Sequence, residues 1–219
     1  MDNKENFKAN IVSKKIVERL TIYKREIEKL IKEGKETIFS YELEKITGIP
    51  ATTIRKDFSI LGVKLGHVKY GYNLIYLKRV FDEILGVKKP WNIAIVGIGN
   101  LGRALMGYTG FEKRNFNVIC GFDIDEKVVG TKYNNKPIFH LNEAPQILKE
   151  YDIHIIVLTV PSEVTESVFK YFYDLGIRAF LNLTPVIINC SSCVYVENVD
   201  LTSPLEKLTY YVDKNICNS

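Results

Sequence analysis

Apolar residues at helical spacing dominate the first sixty positions. In "SKKIVERLTIYKREIEKLIKEG" they recur every three or four residues, which predicts an amphipathic helix that ends at Gly34. "SYELEKITGIP" predicts a shorter helix with Ser40 as its N-cap and Gly48 at its end. Pro50 then opens a third helix over "ATTIRKDFSILG". Two short helices across a tight turn are typical of a helix-turn-helix.

The next segment, "VKLGHVKYGYNLIYL", changes to an alternating pattern. It predicts a β-hairpin wing around Gly66 and Gly71, with Lys64, His67 and Lys69 near its tip. "LKRVFDEILGVKKPW" then predicts a connecting helix and a linker, so a domain boundary is expected near residues 89–91.

Beyond this linker, short apolar runs alternate with helical segments. The predicted strands are "NIAIV", "FNVICGFD", "KPIFH", "IHIIVLTV", "IRAFLNLTP" and "CVYVENV", and the helices between them are "NLGRALMGYTGF", "NEAPQILKEY" and "SEVTESVFKYFYDLG". This order predicts an α/β fold with a doubly wound parallel sheet. The tail "SPLEKLTYYV" predicts an amphipathic helix with a Ser203–Glu206 capping box. Its apolar stripe can pack on its own domain or on a partner subunit.

Charge is divided unevenly between the two halves. Residues 1–90 carry a net charge of +7, and residues 91–219 carry −3. Charge alone leaves a solvated lysine-rich surface as an equal alternative, but a basic helix-turn-helix favours DNA as the partner. On the second helix of the motif, an arginine can pair with guanine and the other polar groups can reach bases or phosphates. The candidate DNA contacts on this helix are Thr52, Thr53, Arg55, Lys56 and Ser59.

A glycine motif marks the start of the second half. Gly97, Gly99 and Gly102 complete G-x-G-x-x-G between a predicted strand and a predicted helix, the context in which this motif binds a dinucleotide pyrophosphate. Asp123 ends the following strand, 21 residues past the last glycine. A carboxylate there accepts hydrogen bonds from ribose hydroxyls and repels a 2′-phosphate, which favours NAD(H) over NADP(H).

Several other classes of protein are disfavoured. No apolar run is long enough to cross a bilayer, and the first fifteen residues lack the apolar core of a secretory signal, so a cytosolic location is expected. The four cysteines form no disulfide framework. Cys190 and Cys193 are a single pair without a nearby histidine, so we expect no metal site.

Six further motifs are spread along nearly the whole chain, in the order "IRKDFSILG", "VGIGNLGRAL", "GFDID", "LTVP", "LNLTP" and "ENVDL". In this order they resemble the motifs of the Rex family of redox-sensing transcriptional repressors. The resemblance implies a homodimer of winged-helix and Rossmann domains, with a C-terminal helix exchanged between the subunits. It implies that NADH releases palindromic operator DNA, whereas NAD+ competes for the same site without doing so.

The resemblance also assigns residues. The implied domains are a winged-helix domain (1–89), a Rossmann domain (90–200) and a dimerisation helix (201–219). Arg55 and Lys56 become operator contacts, and Arg25, Tyr108 and Asp200 become a switch in which Asp200 pairs with either of the other two. The expected NAD(H) site comprises Gly97, Ile98, Gly99, Asn100, Leu101, Gly102, Tyr108, Asp123, Thr159, Pro161, Asn182 and Asp200.

A dehydrogenase with an unusual N-terminal module is the alternative interpretation. Such an enzyme needs a substrate domain and a group that transfers a proton near the nicotinamide. Only about twenty residues follow the last predicted strand, and His67, His140 and His154 lie in no catalytic motif. The sequence therefore favours a regulator that is not an enzyme.

Overall fold

The computed structural model describes residues 12–63, 70–190 and 193–214. The chain divides into two compact units, Met1–Lys88 and Lys89–Ser219, each with buried apolar clusters of its own. Within the described residues, no helix is both long and apolar enough to cross a membrane.

The described residues of the first unit form four helices and a short antiparallel ribbon. The helices are α1 (Lys14–Lys32), α2 (Ser40–Thr47), α3 (Ala51–Ile60) and α4 (Leu74–Ile84). Strands β1 (Thr37–Ile38) and β2 (Tyr72–Asn73) pair antiparallel. The apolar stripe of α1 is buried as its spacing predicts, and Leu20, Tyr23 and Ile27 are fully inaccessible to solvent. Gly48 has a φ of +71° and ends α2, so the turn before α3 is confirmed.

Two expectations for this unit are wrong in detail. Ser40 is the first residue of α2 rather than its cap, and Glu42 accepts a hydrogen bond from the Phe39 amide instead. The segment "LIYL" after Asn73 is helical, because Asn73 Oδ1 accepts a hydrogen bond from the Tyr76 amide and caps α4. The predicted wing contacts Lys64, His67 and Lys69 lie outside the described residues.

The second unit is built on a seven-stranded sheet. Its strands are β3 (Trp91–Val96), β4 (Phe116–Asp123), β5 (Lys132–Tyr133), β6 (Lys136–His140), β7 (Ile153–Leu158), β8 (Ala179–Asn182) and β9 (Tyr195–Asn198). Its helices are α5 (Asn100–Met106), α6 (Thr109–Glu112), α7 (Ala144–Glu150), α8 (Thr165–Asp174) and α9 (Ser203–Asp213).

The sheet order is β5-β6-β4-β3-β7-β8-β9, and every pairing except β5 with β6 is parallel. The six parallel strands, numbered along the chain, therefore follow the order 3-2-1-4-5-6 of a Rossmann sheet. The order reverses between β3 and β7, and ligands of such sheets bind outside the carboxyl ends of the strands at this point. The predicted doubly wound parallel sheet is confirmed.

The helix predicted over "NLGRALMGYTGF" is wrong in its extent. It ends at Met106, and a second short helix begins at Thr109, so Tyr108 lies at the junction of α5 and α6. The predicted helix over "SEVTESVFKYFYDLG" likewise begins with a 3-10 turn at Ser162–Val164 before α8. Strand β5 was not predicted at all; it is two residues long and depends on pairing with β6.

The C-terminal helix α9 exposes its apolar side chains. Leu205, Leu208, Tyr211 and Val212 are each more than half exposed in the single chain. The predicted Ser203–Glu206 capping box is wrong, because the helix begins at Ser203 and Asp200 accepts hydrogen bonds at its start. The helix itself and its apolar stripe are nevertheless present as predicted.

Candidate nucleotide and DNA sites

The glycine-rich loop lies at the reversal point of the sheet because of strand register. Val96, Phe122 and Leu158 are aligned across β4, β3 and β7. The residues that follow them, Gly97, Asp123 and Thr159, are therefore brought side by side at the carboxyl edge. The sequence expectation that these three residues share one site is consistent with this geometry.

Two of the three motif glycines are required by close packing of the loop. Gly97 has a φ of +91°, and a methyl group on it would lie 2.8 Å from the Thr159 carbonyl oxygen. A methyl group on Gly102 would lie 2.1 Å from the Gly97 carbonyl oxygen, because α5 packs directly against the loop. A side chain at either position would force backbone groups apart.

Gly99 differs, because a methyl group there would meet no atom within 4 Å. The fold therefore does not require glycine at this position, and the space above it is available to a ligand. A dinucleotide pyrophosphate needs such close access to the backbone amides at the start of the following helix. The exposed Asn100 and Leu101 follow directly, so the loop fits the group that its sequence predicts.

Side chains hold the loop from both neighbouring strands. Asp123 Oδ2 accepts a hydrogen bond from the Ile98 amide at 2.5 Å, and its Oδ1 accepts from the amides of Ile124 and Asp125. Thr159 Oγ1 lies 2.7 Å from the Gly97 carbonyl oxygen, to which it donates. A carboxylate has about four lone-pair positions, so Asp123 can still accept from a ribose hydroxyl.

The remaining predicted nucleotide contacts have different settings. The Ile98 side chain is buried, and Gly121 provides the room beneath it. Asn182 is fully buried; its amide group bonds Val186, Asn198 and Thr184, so it organises the loop after β8 rather than facing the solvent. Pro161 is exposed at the end of the β7 loop.

Tyr108 and Asp200 are both exposed. The Tyr108 ring packs edge-on against Phe111, with 5.2 Å between ring centroids. Asp200 accepts hydrogen bonds from the Thr202 hydroxyl and amide and from the Ser203 amide, and these bonds lower the pKa of its carboxyl group. It is therefore ionised near neutral pH and available for ion pairing.

In the first unit, α3 has one buried and one exposed face. Ile54, Asp57 and Phe58 face the core, whereas the candidate contacts Thr52, Arg55, Lys56 and Ser59 are exposed and Thr53 is half-buried. Arg55 Nη1 donates to Ser40 Oγ at 3.0 Å, which orients the guanidinium group at the surface. The helix thus presents a polar, cationic face of the kind that reads a major groove.

The buried face of α3 contains a charged cluster that sequence reasoning missed. Asp57 is 1% exposed and accepts two hydrogen bonds from Arg19, at 2.6 and 2.7 Å, and one from the Tyr23 hydroxyl at 2.8 Å. Pairing with Asp57 raises the pKa of Arg19, and burial followed by the Asp57 bond raises that of Tyr23. The signal in the sequence was the spacing of Asp57, which lies with Ile54 and Phe58 on the apolar stripe of α3 and is therefore expected to be buried.

Fold and sites together define a protein that combines a helix-turn-helix unit with a dinucleotide-binding Rossmann unit. A family model described as a putative DNA-binding protein N-terminus matches residues 11–59, and one described as a CoA binding domain matches residues 88–186. The chain is 35% identical to the redox-sensing transcriptional repressor Rex of Listeria welshimeri, over 89% of this chain and 90% of that protein. It is 38% identical to Rex of an Exiguobacterium species, over 89% and 88%. The chain belongs to the Rex family.

Solved structures agree with this assignment. The crystal structure of RSP, a Rex-family repressor, matches with a TM-score of 0.85 at 31% identity and covers 95% of this chain and 97% of RSP. RSP in complex with β-NAD+ and operator DNA gives a TM-score of 0.86, with 95% of each chain covered, and RSP with β-NADH gives 0.83 over 95% and 97%. The predicted family and fold class are confirmed.

Proposed function

We propose that this chain is a transcriptional repressor that binds palindromic operator DNA and is released from it by NADH. The observation that carries the proposal is the presence, on one chain, of an open glycine-rich loop at the sheet reversal point and an exposed basic face on α3. Relatives named as redox-sensing repressors, and RSP complexes with NAD+, NADH and operator DNA, support it. They also favour a regulator over a dehydrogenase.

NAD(H) is the proposed cofactor. The pyrophosphate would lie above Gly99, and Asp123 would accept from the adenosine ribose while it repels the 2′-phosphate of NADP(H). The dinucleotide supplies a nicotinamide ring that is cationic when oxidised and neutral when reduced. Burying the cationic form in an apolar pocket costs more free energy, so a closed site prefers NADH.

A homodimer is the proposed assembly, with α9 as its exchanged helix. More than half of each of Leu205, Leu208, Tyr211 and Val212 is exposed in one chain. Covering this stripe with the partner subunit removes apolar surface from water, and each Å² that is buried stabilises the dimer by roughly 25 cal/mol. The domains are then residues 1–89, 90–200 and 201–219. A cytosolic location is proposed, because the proposed partner is operator DNA.

The proposed switch uses Arg25, Tyr108 and Asp200. Arg25 is exposed, and its Nε donates to the buried Glu26 carboxylate at 3.0 Å. Lys29 Nζ donates to the same carboxylate, so Glu26 keeps a cation when Arg25 pairs with Asp200 instead. In the DNA-bound form Asp200 would pair with Arg25, and in the NADH form it would accept from the Tyr108 hydroxyl. A ligand shifts such an equilibrium only through its different affinity for the two forms.

An operator-binding titration at several NADH/NAD+ ratios tests the proposal. We expect operator affinity to fall as the NADH fraction rises at constant total nucleotide. Asp200→Ala should still bind NADH but respond weakly. Because Asp200 also accepts bonds at the start of α9, Asp200→Asn is the matched variant, which keeps an acceptor oxygen and removes the charge. A full NADH response in both variants would exclude the switch, and no response in the parent protein would exclude the function.

A further inference from the structure

The ring of Tyr108 lies directly over Gly110. A methyl group on Gly110 would come within 2.3 Å of Tyr108 Cζ and 2.5 Å of its hydroxyl oxygen. Phe111 contacts the same ring from another side. Any residue larger than glycine at position 110 must therefore move the ring.

The backbone does not explain this glycine. Gly110 belongs to α6, and its φ is not among the positive values that favour glycine. Alanine is more favourable than glycine by about 1 kcal/mol in a helix interior, so helix propensity gives no reason for a glycine at position 110. What the missing side chain provides is room for the Tyr108 ring.

We propose that Gly110 is a positioning residue, whose missing side chain determines where the Tyr108 ring lies at the nicotinamide end of the site. The inference rests on the proposed assignment of Tyr108 to the nicotinamide. Tyr108 is 58% exposed, so its ring can move without unfolding the surrounding structure. A methyl group at position 110 would displace the ring and leave the glycine-rich loop and Asp123 unchanged.

Gly107 offers a matched control in the same segment. A methyl group on Gly107 would lie 2.3 Å from Asn134 Nδ2, in the turn between β5 and β6. Its φ of −93° is also open to alanine. Gly107→Ala therefore creates a steric contact of the same size at the same junction, but against a different side chain.

Measured affinities for NADH and for ADP-ribose, which lacks the nicotinamide, distinguish a local effect at the nicotinamide from a general effect on nucleotide binding. We expect Gly110→Ala to change NADH affinity about fivefold or more, with ADP-ribose affinity and Tm retained. Gly107→Ala should leave both affinities near the parent values. In a Tyr108→Ala background, Gly110→Ala should have no further effect on NADH, because the displaced ring is absent.

Proton NMR tests the ring position without nucleotide, once the Tyr108 resonances are identified by their loss in Tyr108→Ala. These resonances should shift in Gly110→Ala, because the ring leaves the ring-current field of Phe111. Unmoved resonances, or an NADH effect that persists in the Tyr108→Ala background, would overturn the inference. If Tyr108→Ala alters NADH affinity and Gly110→Ala does not, the inference fails and the proposed function stands. If Tyr108→Ala leaves NADH affinity intact, the assignment of Tyr108 to the nicotinamide fails, and the positioning role in binding fails with it.

Discussion

The two candidate sites are built in opposite ways. The nucleotide loop is shaped by missing side chains, since Gly97 and Gly102 pack against backbone oxygens and Gly99 leaves open space. The helix α3, which we propose faces DNA, depends on side chains, with Arg55 and Lys56 exposed on one face and Asp57 buried on the other. Backbone recognition suits a phosphate group that every nucleotide shares, whereas base recognition needs varied side chains. The two sites should therefore fail in different ways when residues are changed.

The largest effect should come from the cluster beneath α3. Arg19→Met would leave the buried Asp57 carboxylate without its cation, and we expect a loss of about 3–5 kcal/mol in the free energy of unfolding of the first unit. Operator binding should be lost, while NADH affinity stays near the parent value. Urea unfolding and an NADH titration measure both. Lys14→Met on the same helix is the control, because Lys14 pairs with Glu18 at the surface, where both side chains are exposed, and its loss should cost about 0–1 kcal/mol.

Alanine at two glycines of the loop separates packing from ligand contact. Gly102→Ala should lower the free energy of unfolding by about 1–3 kcal/mol, because the methyl group collides with the Gly97 carbonyl oxygen. Gly99→Ala should keep the parent stability and lower NADH affinity about tenfold or more, because the methyl group occupies pyrophosphate space. Thermal unfolding and NADH titration of both variants test this. Equal stability losses in the two would contradict the described loop.

Substitutions on the exposed face of α3 should change operator affinity and leave NADH affinity unchanged. Arg55→Ala should weaken operator binding by about 1–3 kcal/mol and relax preference at one base position, with NADH affinity unchanged. Competition binding with single-base operator variants measures both effects. Ser40→Ala removes the hydrogen bond that orients Arg55 and should weaken binding less. Parent-like operator affinity in Arg55→Ala would remove this residue from the site.

A smaller effect is expected at Asp123. Asp123→Asn removes the charge that repels a 2′-phosphate and keeps an oxygen for the Ile98 amide, so the ratio of NADH to NADPH affinity should fall about tenfold. Asp123→Ala should narrow the same ratio and also weaken both ligands, since the loop loses its anchor. Isothermal titration with both nucleotides decides the point, and an unchanged ratio in the two variants would show that Asp123 does not face the ribose.

Local patterns predicted much of this molecule. The glycine motif, its strand and helix, and Asp123 are close in sequence, so their arrangement follows from short-range rules. The strand β1 and its pairing with β2 were missed, because β1 has only two residues and its partner lies far along the chain. The Arg19–Asp57 pair spans 38 positions, and helical spacing shows that Asp57 is buried without showing what pairs with it. The break at Tyr108 was missed because "MGYTGF" keeps a helical pattern.

Linkage between the two sites is the central claim, and it is reciprocal by thermodynamic necessity. NADH affinity should be measured with and without saturating operator DNA, beside operator affinity with and without saturating NADH. We expect operator to weaken NADH binding by the same factor by which NADH weakens operator binding. NADH affinity that is identical with and without bound operator would contradict the account.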